Sequence, residues 1–239
     1  MRVVVTPDYR TLSTTAAELV TDALRSKPDL VLGLPAGRTP VGMYEELARI
    51  YREQNLNFSG VRTFNLDEYL GLPINHPKSY HTYMQRQLFD HVNLARENIH
   101  IPDGSPGTEG EVESFTYEKA ISDAGGIDLL IVGVGANGHI GFNEPGSAFD
   151  SRTRAVDLSS ETILNAQQDF GAEPAPRRAI TMGIATMLEA KRILLIASGA
   201  SKADAVERTL RGPVTESFPA SVLRQHPRVV VIVDEAASQ

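Results

Sequence analysis

The chain has 239 residues, enough to bury a full core in one large domain. Its 30 acidic residues outnumber its 23 basic ones, a formal charge of −7. That excludes a broad basic face for nucleic acid and leaves any anionic ligand to local cations and backbone amides. Cysteine is absent, which excludes disulfides and thiol catalysis, and no apolar run approaches the roughly 20 residues that cross a bilayer.

Residues 2–6 read as a short first strand, with no leader-like pattern before them, so a cytoplasmic protein is expected. Residues 13–25 have the helical period, with Ser13 or Thr14 as cap. A buried strand at 29–34 leads through a Gly-Pro turn into a helix at 41–54. A strand at 61–66, a helix at 79–91 and a helix at 109–124 follow. Residues 127–132 are apolar and rich in β-branched side chains, the pattern of a strand buried on both faces. Beyond them lie a polar segment at 151–158, a helix at 160–170 and a loop at 171–178. A helix at 181–190, a strand at 193–197, a helix at 202–210, a short helix at 219–225 and a strand at 229–233 complete the chain. Alternating strands and helices, with no internal repeat, low-complexity tract or linker, predict a single α/β domain over 1–239. Its sheet is expected to be mostly parallel, with helices on both faces.

Four stretches carry candidate chemistry. In 133–146, glycines are interleaved with Asn137, His139 and Glu144 at a predicted strand C-terminus, where open α/β sheets place ligands. A neutral imidazole and a carboxylate that meet across such a loop can move protons near neutral pH. In Gly33-Leu34-Pro35-Ala36-Gly37-Arg38-Thr39-Pro40, free amides at a helix N-terminus would favour phosphate, although the Walker pattern is missing. An ordinary strand–turn–helix connection fits that stretch as well. Asp67 and Glu68 end a strand, as bases in a cleft or as nothing more than caps. Lys202 opens a helix, a position that the helix dipole disfavours for a cation unless an anion lies between; on the residues alone a solvated lysine on the helix face fits better. No cluster has metal-ligand spacing.

The segments Phe64-Asn65-Leu66-Asp67-Glu68-Tyr69 and Gly138-His139-Ile140-Gly141-Phe142-Asn143-Glu144-Pro145 resemble those of glucosamine-6-phosphate deaminases. The likeness extends through the 32–40, 151–154, 180–184 and 198–202 segments and so covers nearly the whole chain. It implies a modified Rossmann-like fold and a mobile lid around 158–178. It also implies conversion of glucosamine 6-phosphate and water to fructose 6-phosphate and ammonia, with neither metal nor organic cofactor. By that resemblance His139, with Asn137 and aided by Glu144, opens the sugar ring and Asp67 is the carbon base. Gly37, Arg38, Thr39, Gly133 and Lys202 then hold the substrate and its phosphate, while Glu68 is a structural acid or a cap. Two departures stand out. Asn137 replaces an aspartate of some members, which leaves an imidazolium at His139 less stabilised. The family's lid arginine has no counterpart in 165–170, so Arg38 is the candidate to supply that charge.

Some family members are hexamers activated by N-acetylglucosamine 6-phosphate. Ser147 and Arg154 match that effector site, but Val156 replaces a cation and no C-terminal extension follows the last strand. Hyperbolic kinetics without activation is therefore the expectation, with homo-oligomerisation left open. The partner implied is a small sugar phosphate, with no nucleic acid and no membrane. Two other readings share parts of the pattern. A 6-phosphogluconolactonase-like hydrolase would not need Asp67 as a carbon base, and a non-catalytic sugar-phosphate sensor could dispense with both Asp67 and His139.

Overall fold

The computed structural model describes residues 1–239. Its strands are β1 (Arg2–Thr6), β2 (Val31–Leu34), β3 (Arg62–Asn65), β4 (Asp67–Tyr69), β5 (Ile99–His100), β6 (Leu129–Val132), β7 (Arg154–Asp157), β8 (Arg178–Thr181), β9 (Ile193–Ala197) and β10 (Val229–Asp234). The α-helices are α1 (Tyr9–Ser26), α2 (Val41–Gln54), α3 (Tyr80–Gln87), α4 (Gly110–Asp123), α5 (Ser160–Phe170), α6 (Ile184–Leu188) and α7 (Ala203–Arg211).

Runs such as Leu129–Val132 and Ile193–Ala197 are buried at every position, because helices cover the sheet on both faces. Their alternate side chains feed two cores. Leu129, Ile131, Leu194 and Ile196 pack with the inner faces of α1 and α2, and Leu130, Val132, Ile193 and Leu195 pack with α4, α6 and α7. The sheet has seven strands in the order β1-β10-β9-β6-β2-β3-β5, and every neighbouring pair is parallel. From β2 the chain moves outward through β3 to β5, then returns to lay β6 on the other side of β2. The C-terminal ends of β2 and β6 therefore flank a topological switch point, where such sheets open a ligand crevice.

The alternation expected from the sequence is present, but the edge strand β5 lies where no strand is expected, and three further differences stand out. Helix α1 begins at Tyr9 rather than at residue 13, because the Asp8 side chain accepts from the Thr11 backbone N–H (2.7 Å) and caps it. Ser13 is buried within the helix and donates to the Tyr9 carbonyl. The exposed Tyr9 and Arg10 hide that first turn from an apolar-period reading. Second, residues 181–190 are not one helix: Thr181 ends β8, and only Ile184–Leu188 is helical.

Third, the polar segment 151–158 contains strand β7, and β4, β8 and β7 form a separate antiparallel sheet in the order β4-β8-β7. Asp67 lies opposite Thr181, and Thr181 lies opposite Arg154. Leu66 ties the two sheets together. Its N–H donates to the Leu34 carbonyl at 3.1 Å, and its carbonyl accepts from the Met182 N–H at 2.6 Å. A small third core of Tyr69, Phe142, Leu158, Ala166, Phe170 and Ala179 seats α5 against this second sheet and the loop after β6.

Candidate active site

A cleft of about 250 Å³ opens at the switch point, and Gly37, Arg38, Thr39, Asp67, Gly133, His139 and Lys202 all line it. The loop between β2 and α2 is braced from outside. Tyr83 Oη donates to the Gly37 carbonyl (2.6 Å) and Tyr9 Oη to the Thr39 carbonyl (3.1 Å). The Arg38 guanidinium is largely exposed and pairs with Asp169 of α5 at 3.2 Å. Lys202 reaches the cleft from the turn before α7. Asp234 pins that turn by accepting from Ser198 Oγ (2.5 Å) and from the Gly199 N–H (3.0 Å). Burial pushes the Lys202 pKa down, and no carboxylate lies within 4.0 Å of its amine. A half-buried cation without a partner is costly, and an anion in the cleft would relieve it.

Asp67 enters from the first residue of β4 and is buried. Burial, and after it the charge of Glu68, push its pKa up to about 8. The loop after β6 comes close to it at Gly141, whose φ of +57° falls in the left-handed region. A Cβ there would stand 2.9 Å from Thr181 Oγ1 and 3.3 Å from Asp67 Oδ2, so glycine is what lets this loop lie against the carboxylate. The next residue, Phe142, donates its N–H to Thr181 Oγ1 at 3.0 Å and fixes the approach.

Asn137 and Glu144 lie behind His139 as a connected set. Asn137 Oδ1 accepts from the His139 backbone N–H (3.1 Å), which identifies it as the oxygen, and it lies 2.8 Å from His139 Nδ1. Asn137 Nδ2 donates to Glu144 Oε2 at 2.9 Å. Nδ1 must then carry the hydrogen, leaving Nε2 as the lone-pair nitrogen of the neutral ring. Burial lowers the His139 pKa below that of a free imidazole; Glu144 opposes the shift and Lys202 adds to it. Gly135 makes room for the ring, since a Cβ there would stand 2.1 Å from its Cε1. Glu144 lies 3.8 Å from His139 Nδ1, so it orients the ring mainly through the amide.

Glu144 has further partners that the sequence did not disclose. Its Oε1 accepts from Ser159 Oγ (3.1 Å) and from Thr162 Oγ1. Ser159 also caps α5 by accepting from the Thr162 N–H, so the first turn of the expected lid helix holds the carboxylate. The Ser-x-x-Thr pattern before a helical stretch was available as a cap signal, but nothing local pointed it at Glu144. Arg154, on β7, donates to Asn143 Oδ1 (2.8 Å) and Ser147 Oγ (3.2 Å), bracing the same loop. Glu68 accepts from the Tyr80 and His81 backbone N–H groups at the start of α3, which makes it a helix cap.

Fold and cleft define a doubly wound α/β protein with an acid–base cleft at its switch point. The chain belongs to the glucosamine-6-phosphate isomerase/6-phosphogluconolactonase family, whose model matches residues 9–232. It is 47% identical to the glucosamine-6-phosphate deaminase of Thermoanaerobacter pseudethanolicus, over 100% of this chain and 94% of that one. It is 51% identical to that of Rhodopirellula baltica, over 98% and 93%. A solved structure of a monomeric glucosamine-6-phosphate deaminase superposes with a TM-score of 0.97 at 43% identity, covering 100% of this chain and 99% of the other. The 6-phosphogluconolactonase of Thermotoga maritima shares the fold at 22% identity, with a TM-score of 0.78 over 98% and 99% of the two chains.

Proposed function

We propose that this protein is a glucosamine-6-phosphate deaminase, converting glucosamine 6-phosphate and water to fructose 6-phosphate and ammonia. The observation that carries this reading is the pairing, in one cleft, of a carboxylate of raised pKa with a neutral histidine of fixed tautomer. The phosphate is held by the amides of the 37–39 loop, Thr39 and Lys202, with Arg38 at the rim and Gly133 at the cleft wall. His139 Nε2 takes the proton of the anomeric hydroxyl and passes it to the ring oxygen, which opens the sugar to its aldehyde. Asn137 and Glu144 hold the ring of His139 in the tautomer that this transfer needs.

Asp67 then removes the C2 proton while O1 is protonated, giving an enolamine. A carboxylate with a pKa near 8 is a stronger base than an ordinary aspartate, and it operates close to its own pKa. Returning the proton to C1 yields the C2 iminium. Water adds at C2 and ammonia leaves, completing the ketose. General acid–base groups supply about 10²–10⁴-fold each, so positioning through the phosphate must supply much of the rest.

A lactonase needs no group to take a proton from carbon, so the buried Asp67 favours the deaminase reading, and a sensor would need neither Asp67 nor the ordered His139. The test is ammonia release on adding glucosamine 6-phosphate to the purified protein, with 6-phosphogluconolactone as the parallel substrate. Lactone hydrolysis without ammonia release would overturn the proposal.

A further inference from the structure

Glu68 is buried next to Asp67 and has no part in the steps above. Successive residues of β4 project to opposite faces, so Asp67 meets the cleft while Glu68 points back toward α3. Its Oε1 accepts from the backbone N–H groups of Tyr69 (2.8 Å) and Tyr80 (3.0 Å). Its Oε2 accepts from the backbone N–H of His81 (3.0 Å) and from His81 Nδ1 (2.9 Å). Capping α3 needs only the two helix amides. The imidazole is an additional contact, and it reaches out of the buried region: His81 also lines a separate cavity of about 470 Å³ with Arg96, His100 and Glu113.

We propose that Glu68 and His81 are a positioning pair for Asp67: Glu68 fixes β4 and keeps a carboxylate beside the base, and the His81 imidazole sets how much of that charge the base feels. The idea rests on the deaminase reading for the role of Asp67. The Glu68 charge adds to burial in raising the proton affinity of Asp67. A donor on Glu68 spreads that charge and weakens its effect. Other titratable groups face the trio from each packed element. Tyr44 of α2, Tyr69 of β4, Tyr80 of α3 and Tyr117 of α4 lie near enough to feel the Asp67 charge, and Arg38, His139 and Lys202 share its cleft. Asp103, after β5, and Glu113 of α4 face His81, with Arg96 and His100 in the cavity wall beyond. Asp103 and Glu113 feel the His81 charge directly, so the readout is taken at the Asp67 carboxyl itself.

The test follows the Asp67 carboxyl titration by carbon-13 NMR in the full protein, together with the pH profile of kcat/KM for ammonia release. Four proteins are compared: wild type, Glu68→Gln, His81→Phe and His81→Asn. Glu68→Gln should move the Asp67 titration, and the ascending limb of the profile, to lower pH by at least about 0.5 unit, the sign for removing a like charge. His81→Phe should move both to higher pH, because Glu68 loses a donor. His81→Asn, which keeps a side-chain N–H near the Nδ1 position, should restore them. Ionisations of the substrate are common to all four and cancel. If His81 only helps to cap α3, its variants would lower the melting temperature and leave the Asp67 titration at the wild-type position, and that result overturns the pairing whatever Glu68→Gln does. If Glu68→Gln does not fold, the upward shift in His81→Phe and its restoration in His81→Asn decide. A wild type that releases no ammonia overturns the functional reading instead, and the NMR titration still decides the pair.

Discussion

Burial and the neighbouring Glu68 charge hold the Asp67 pKa near 8, against 3.8 for an unperturbed aspartate. Two consequences follow from that one number. Asp67 must be ionised to act as a base, so kcat/KM should climb with pH until about 8. The folded chain also binds a proton at Asp67 more tightly than the unfolded chain does, so rising pH costs stability from about pH 4 to about pH 8. Asp67→Asn removes both effects. Its kcat should fall by at least about 10²-fold with a small change in KM, the pattern of a lost transition-state role. Its thermal midpoint should exceed that of the wild type at pH 8, and the difference should vanish near pH 4. Near-normal turnover would remove Asp67 from the mechanism, and a lower midpoint at pH 8 would contradict the destabilising burial.

Arg38 is held only weakly by its ion pair. Its partner Asp169 is exposed, and such a pair is worth only about 0–1 kcal/mol. A phosphate in the cleft would compete for the same guanidinium through charge-assisted bonds of roughly 1.5–3 kcal/mol. Arg38→Ala should therefore raise KM about 10-fold, while Asp169→Asn, which frees the guanidinium, should leave KM unchanged or lower it. An unchanged KM in Arg38→Ala, beside a strong defect in Lys202→Ala, would leave phosphate binding to Lys202 and the loop.

Among the elements, α5 links the two halves of the proposed chemistry. Its first turn gives Ser159 and Thr162 to Glu144, and its last turn gives Asp169 to Arg38. Ser159 is also the cap of α5, so Ser159→Ala mixes a helix effect of about 1 kcal/mol with any effect on Glu144. Thr162→Val is the cleaner change. Losing one hydrogen bond to a carboxylate, roughly 1.5–3 kcal/mol, should lower kcat by about 10-fold or more. The loss should fall on ring opening, so it should shrink on an open-chain substrate analogue. An equal loss on cyclic and open-chain substrates would place Thr162 outside the path to His139.

The same element shows what the sequence could and could not disclose. Runs such as 127–132 and 193–197 announce buried parallel strands, because continuous apolar β-branched sequence has few other uses. The glycine-rich turn at the C-terminal end of 127–132 then marks a cleft and draws attention to His139, whereas Asp67 and Lys202 take their roles only from the family resemblance. The antiparallel sheet was not legible. Strands β4, β7 and β8 are three or four residues long, too short for an alternation to register, and β4 pairs with β8 across more than a hundred residues. Contacts between Glu144 and Ser159, or between Glu68 and His81, depend on that pairing and on how α3 and α5 dock, which no local pattern encodes.

For the molecule as a whole, the proposed active cleft and a stabilising clamp sit at opposite ends of the parallel sheet. The cleft lies at the C-terminal ends of β2 and β6. At the other end the buried Asp128 joins three segments that enter the sheet. Its Oδ2 accepts from Lys27 Nζ (2.5 Å) and from the Val31 N–H (2.9 Å), and its Oδ1 accepts from Lys191 Nζ (2.7 Å). Burial alone would raise its pKa, but hydrogen bonds from Lys191 and Lys27 and the Val31 amide outweigh burial and hold it at about 2. The contribution is therefore complete above about pH 4 and is lost as the pH falls through about 2. Both lysines are partly exposed, so solvent screens the ion pairs and the hydrogen bonds carry most of the effect. Asp128→Asn should cost about 1–3 kcal/mol at pH 7, read from denaturant unfolding. The gap should narrow toward pH 2, where the wild-type carboxyl is itself becoming protonated. Because the clamp lies at the end of the sheet away from the cleft, kcat/KM at temperatures where both proteins are folded should not change. A variant as stable as the wild type at pH 7, or one with impaired turnover while fully folded, would refute this division between the two ends.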